Sequence, residues 1–277
     1  MSGKLFVVGT PIGNLGDITY RAVETLKNVD FICAEDTRVT VKLLNHYEIR
    51  KPMISYHEHS ERQVSDKIMN RIMSGESCAV VTDAGMPCIS DPGEDLIKLC
   101  IENNVPIEVV PGPTAMASAA AISGLSTSRF TFEGFLSVTK KQRFSHLESV
   151  SKDTHTLIFY EAPHKLLSTL TDMLEYFGDR KVSVCHELTK IHEEVIRTTL
   201  SEAVEYYADK TPKGEFVLIV DGYNPKEELA DLTVEDAVNE AIRLIDGGMK
   251  AVDACKEAAK LTGFKKSEIY SKIQNKQ

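Results

Sequence analysis

The chain has 277 residues, 42% of them hydrophobic, and a net charge of −9 at neutral pH. That length buries a sizeable core and suggests two domains or one large one, while the acidic balance argues against simple coating of nucleic acid. No apolar run approaches the length of a membrane span, and only Met1–Lys4 precede the first expected strand, so neither a membrane segment nor a leader peptide is expected.

The opening "KLFVVGTPIGN" reads as a short buried strand followed by a glycine-rich loop. Such loops commonly cradle phosphate, yet no Lys follows the glycines, and Pro11 stands where a close-packed turn needs a backbone N–H. The next segments repeat one pattern of apolar run, turn and helical periodicity: "ITYRAVETLKNV", "VDFICAEDTR", "VTVKLLNHY", "KPMISYHEHS", "RQVSDKIMNRIMSGE", "SCAVVTDAGMPCISDPG", "EDLIKLCIENN" and "PIEVVPGPTA". Strands alternating with helices predict a mostly parallel sheet covered on both faces. After the alanine-rich "MASAAAISG" the pattern changes. "FTFEGF", "THTLIFYEA", "KVSVCHEL", "EVIRTTL" and "GEFVLIVDG" read as strands, and the short connection between "KVSVCHEL" and "EVIRTTL" predicts antiparallel pairing.

The expected architecture is therefore α/β: an N-terminal α/β domain over 1–114, a second α+β domain over 115–222, and a helical module over 231–277 after the polar linker "YNPKEELAD". The last two helices allow a helix-turn-helix or a plain helical cap. From Met249 to Gln277 seven Lys face three acids, a net +4 that leaves −13 on the rest of the chain. Cys33, Cys78, Cys88, Cys100, Cys185 and Cys255 are scattered without any CxxC pair, which predicts reduced thiols in a cytoplasmic protein.

In open α/β sheets ligands bind at the carboxyl ends of the strands. Three expected strand ends carry unusual loops here: "GTPIGN", "TDAGMPCISDPG" and "PGPTA". Glycine and proline fix backbone shape and admit close approach, and Asp83 supplies an acid without any cluster of Arg or Lys beside it. This pattern suits a ligand with hydroxyls, an amino acid part and a positive centre better than a polyphosphate. "AEDTR" places Glu35, Asp36 and Arg38 after another strand, where a carboxylate can accept a proton and Arg38 can bind a phosphate. The alternative is an acid–arginine pair bracing the loop. His57 and His59 show His-x-His spacing on an expected strand, but no third ligand is evident and no metal is expected. Lys213 and Glu215 are further cleft candidates. Lys140, Lys141, Arg143, His164, Lys165 and the C-terminal lysines are the positive charge available to an anionic partner.

"LFVVGTPIGNLGDIT", "AEDTR", "TDAGMPCISDPG", "VPGPTAMASA", "FYEAPHK" and "KGEFVLIV" together resemble the tetrapyrrole-methylase superfamily. Within it they are similar to the bacterial branch that 2′-O-methylates a cytidine ribose in the decoding centre of 16S rRNA. The resemblance covers Leu5 to Gly222. It implies S-adenosylmethionine bound in a cleft between two α/β domains, a homodimer, and a substrate presented within the small ribosomal subunit. It places cofactor contacts on Pro11, Asp83, Gly85, Met86, Thr114 and Ala115, with Glu161 and Ala162 facing them from the second domain. Glu35, Asp36 and Arg38 are then the expected catalytic group. The alternative within the same fold is a methyltransferase acting on a tetrapyrrole or corrin precursor.

Overall fold

The computed structural model describes residues 2–57, 61–225 and 233–274, with only the backbone at 61–63. It divides into two compact units, Met1–Gly222 and Tyr223–Gln277. His59, Lys276 and most of the expected linker 223–231 lie outside the described residues.

The first unit opens with five strands: β1 (Leu5–Val8), β2 (Phe31–Ala34), β3 (Met53–Ser55), β4 (Cys78–Val81) and β5 (Ile107–Val110). They form one parallel sheet in the order β3-β2-β4-β1-β5. Between them run α1 (Tyr20–Asn28), α2 (Thr37–His46), α3 (Glu61–Met73) and α4 (Glu94–Glu102). The strands read as continuous apolar runs because alternate residues feed two different cores. Leu5, Phe31, Cys33, Cys78 and Val80 pack with Ile68 and Ile72 of α3 and Leu96 of α4. Val8, Ile32, Ala34, Ala79 and Val81 pack with Leu26 of α1 and Leu44 of α2. Each such large aliphatic or aromatic side chain contributes about 1.5–3 kcal/mol by leaving water. The cysteines are free thiols, with the Cys33 and Cys78 sulfurs 3.3 Å apart inside this core.

The second sheet contains β6 (Phe130–Phe135), β7 (Thr156–Glu161), β8 (Lys181–His186), β9 (Glu194–Thr199) and β10 (Phe216–Val220), in the order β6-β7-β10-β8-β9. β6 runs parallel to β7, and every other pairing is antiparallel, including the expected β8–β9 pair, where Cys185 lies opposite Val195. α6 (Lys140–Val150), α7 (Leu166–Phe177) and α8 (Leu200–Tyr207) cover one face, with Leu147, Leu170, Met173 and Leu200 against Phe159 and Leu218. The other face receives α5 (Ala115–Ser123): Ala119 and Ala120 pack on Ile158, Val217 and Ile219. Small residues on α5 let it approach the strands closely. Gly124 in the left-handed conformation then ends it.

The second unit is three helices, α9 (Val234–Asp246), α10 (Ala251–Thr262) and α11 (Lys266–Gln274). Thr233 and Asp236 cap α9 reciprocally, and Gly263 (φ +76°) ends α10 ahead of the short turn into α11. Ala237, Val238, Ala241, Cys255, Ala258 and Ile269 form its own small core.

Candidate active site

The loops after β1, β4 and β5 meet because their strands are neighbours in the sheet. Gly9 lies so close to Gly112 that a Cβ on Gly9 would come within 2.7 Å of the Gly112 nitrogen and 2.6 Å of the Met86 sulfur. Thr10 and Gly85 exchange backbone hydrogen bonds of 2.9 and 3.1 Å, which Gly85 permits at φ +89°. The Thr10 hydroxyl also donates to the Thr82 carbonyl at 3.1 Å. Gly9 of the opening sequence therefore lets the three loops pack against one another, and together they form the floor of the site.

Above that floor lies a cavity of about 510 Å³, within the range of small-molecule sites. Asp83, Gly85, Met86, Thr114 and Ala115 line it from the first sheet's loops and the start of α5. Glu161 and Ala162 line it from the end of β7. Pro11 does not; its neighbour Ile12, buried, takes that place, because the side chain after the proline is the one turned inward. Glu215 lines the cavity, whereas Lys213 does not and instead offers its carbonyl to the His186 ring at 2.6 Å.

The catalytic group expected from "AEDTR" is divided by the fold. Glu35 faces the cavity and accepts a 2.5 Å hydrogen bond from the Thr82 hydroxyl. Asp36 caps α2, accepting from the Arg38 N–H at 2.8 Å, and its carboxylate pairs with the Arg38 guanidinium at 2.6 Å. That pair holds the Asp36 carboxyl down at about 2. Asp36 and Arg38 are therefore not cavity residues. Arg38 is 88% exposed, so its guanidinium is open to an approaching anion even while paired. His57 sits beyond the end of β3 at Ser55 and not on the expected strand, and His59 lies outside the described residues. Among the described residues no group of three or more His, Cys, Asp or Glu is placed to hold a metal. Arg143, expected among the RNA-gripping charges, is instead three-quarters buried or more and paired with Asp172 at 2.6 Å.

Sequence reasoning missed two features of the wall. The first is aromatic: Phe135, Tyr160 and Phe216 come from three strands of the second sheet, with Tyr160 accepting the Met116 N–H at 3.0 Å and meeting Phe135 edge-on. The second is Asp91. It follows Cys88 (φ +67°) and Ser90 (φ +62°), two non-glycine residues in the left-handed region, each costing about 1–3 kcal/mol. Gly134, at the bulge in β6, leaves room for the Ser90 hydroxyl: a Cβ there would stand 3.2 Å from it. The loop is thus forced against the second sheet with Asp91 turned into the cavity. Burial pushes the Asp91 carboxyl up to about 6, helped by the charges of Glu35 and Asp83. Asp83 is raised as well, by burial first and by Glu35 second. The "DPG" that follows the strained pair was the available signal.

Residues 4–204 match the family of Tetrapyrrole (Corrin/Porphyrin) Methylases. The chain is 44% identical over 269 residues to "Ribosomal RNA small subunit methyltransferase I" of Synechocystis, covering 97% of this chain and 96% of that one. It belongs to this methyltransferase family. A Thermotoga maritima member of the same name is 47% identical over 220 residues, which is 79% of this chain and 99% of that protein. That relative accordingly has about the length of the first unit alone. The fold is also that of uroporphyrin-III C-methyl transferase from Thermus thermophilus, solved with S-adenyl homocysteine, at TM-score 0.55 and 18% identity over 78% of this chain and 97% of that one. Among the described residues no helix is long and apolar enough to cross a membrane.

Proposed function

We propose that the chain transfers the methyl group of S-adenosylmethionine to the 2′-hydroxyl of a cytidine ribose in the decoding centre of 16S rRNA, on the small ribosomal subunit. The near full-length identity to ribosomal RNA small subunit methyltransferase I carries the choice of substrate. The cavity fits the donor: three glycine-containing loops give the floor, aromatic and aliphatic walls suit an adenine, and carboxylates suit a positive centre. Gly85, Met86, Thr114 and Ala115 would hold the amino acid end, with the N-terminus of α5 favouring its carboxylate. Asp83, Glu161 and Ala162 would meet the donor's other polar groups. Bound there, the donor supplies a methyl carbon already activated for displacement.

The protein's part is then alignment and proton removal. Holding acceptor oxygen and methyl carbon in line supplies much of the acceleration. Glu35, the cavity carboxylate of the "AEDTR" loop, is the group we assign to the ribose proton, with Arg38 outside it meeting an adjacent phosphate. The Asp36–Arg38 pair keeps that guanidinium on the rim. Lys140, Lys141, His164, Lys165 and the C-terminal lysines add positive charge for RNA on an acidic body. We place the enzyme in the cytoplasm and expect it to act as a homodimer.

Labelled methyl from S-adenosylmethionine, offered in parallel to unmodified small subunits, naked 16S rRNA, large subunits and a corrin precursor, tests this reading. Label on the small subunit, with one phosphodiester made resistant to alkali, is the expected result. Label on the corrin alone would overturn the RNA assignment and leave the fold intact.

A further inference from the structure

Among the described residues, the charged ones lining the cavity are Glu35, Asp83, Asp91, Glu161 and Glu215, and no Lys, Arg or His is with them. Each of these carboxylates is hydrogen-bonded or paired within the protein, Asp91 through the Thr82 hydroxyl. Glu35 accepts from the Thr82 hydroxyl, and Asp83 accepts from the Asp36 N–H at 3.2 Å. Glu161 is 4% exposed, with one oxygen on the Ala162 N–H at 2.7 Å and the other on the Thr169 hydroxyl at 2.5 Å. Glu215 is paired with the Lys190 ammonium at 3.2 Å. Asp91 has no cationic partner among the described residues. A strained loop nonetheless holds it in the cavity, beside Glu35 and Asp83.

A half-buried carboxylate among like charges lacks one thing, a positive charge. The two molecules that must occupy the site differ by that charge: the methyl donor carries a sulfonium, and the spent product a neutral thioether. We propose that Asp91 is the residue by which the cavity tells donor from product, ionised against the sulfonium and taking up a solvent proton once that charge is gone. The inference rests on the cofactor reading above and adds to it a cause for product release.

The groups facing Asp91 are all accounted for. Glu35 and Asp83 on the first sheet's loops oppose its ionisation, as does burial, while the Thr82 hydroxyl favours it. Cys88 in its own loop and Tyr160 on β7 are themselves raised by burial first, with the Asp91 charge adding to the effect. Glu161 and Glu215 complete the wall, and Arg38 reaches this cluster only through its field on Asp83. The sign follows. An unliganded Asp91 titrating near 6 is ionised above that pH and neutral below it. A sulfonium nearby stabilises the carboxylate, so donor binding near that pH releases a proton, and the donor's advantage is full above about 6 and is lost as pH falls below it, through the lowered value of the donor-bound carboxyl.

Titration calorimetry of the full chain with S-adenosylmethionine and with S-adenosylhomocysteine, from about pH 8 to about pH 5, tests this without any turnover. The wild-type preference for the donor over the product is expected to shrink by about fivefold across that range, on the way to the tenfold limit that a one-unit shift in a carboxyl pKa sets at lower pH. In Asp91→Asn the preference is expected to be low and flat with pH, while product affinity stays near wild type and so reports an intact fold. A donor-to-product ratio independent of pH in the wild type would overturn the proposal, and that series needs no variant. So would an Asp91→Asn protein that loses affinity for both ligands alike. If neither ligand binds the wild type, the cofactor reading itself fails and takes the proposal with it.

Discussion

Two regions of this chain treat charge in opposite ways. The cavity of the first unit is lined by backbone, apolar side chains and carboxylates, with no basic side chain among the described residues of its lining. The helical second unit carries the basic tail, Lys250, Lys256, Lys260, Lys265, Lys266 and Lys272 among its described residues. Some of that charge is spent internally: Lys260 pairs with Glu257 and Lys272 with Glu235. The contrast separates two kinds of recognition. A small ligand is distinguished by close approach and by one charge in a partly dehydrated site, where Coulomb energies are large. A polyanion is held by exposed lysines through counterion release, which salt weakens.

The largest expected effect breaks the first region outright. Gly9→Val drives a side chain into the Gly112 backbone and the Met86 sulfur, prising the first loop from the other two. Overpacking of this kind costs about 1–3 kcal/mol of stability. We expect cofactor binding to fall below detection by calorimetry while circular dichroism still reports a folded chain. Next comes Glu35→Gln, which keeps an acceptor for the Thr82 hydroxyl but removes the base. Turnover on small subunits should drop about 10²-fold or more, the usual contribution of a positioned base, while donor affinity changes less. Normal methylation by that variant would remove Glu35 from the reaction.

The smallest effect sharpens the second region. Deleting residues 232–277 should leave cofactor binding unchanged, reduce affinity for the small subunit severalfold at low salt, and flatten its salt dependence. Residual methylation is expected, since a relative of the same name is 99% covered by 220 aligned residues. Unchanged affinity and an unchanged salt slope would make the second unit a structural appendage.

Most of the strands and helices were legible in the sequence because their cause is local. Runs such as "LFVV" and "CAVV" must be buried on both faces, and Thr19, Asp36, Thr114 and Thr199 announce helix starts by accepting a backbone N–H. The three glycine loops were legible for the same reason, since glycine and proline act on the backbone where they stand.

What the sequence by itself determined is therefore the alternation of elements, the chemistry of the loops and the family they resemble. The tertiary structure alone decided which of those residues share a cavity. The strand order β3-β2-β4-β1-β5 makes neighbours of loops some seventy to a hundred residues apart, as the Thr10–Thr82 bond shows. It also turned Asp36 and Arg38 toward each other, put Ile12 where Pro11 was expected, and pressed Asp91 inward through a bulge in another sheet. Side-chain direction after a turn depends on φ, ψ and neighbours from distant strands, and charge on a buried carboxylate depends on who else is buried beside it. Neither quantity is carried by residue type or spacing along one chain.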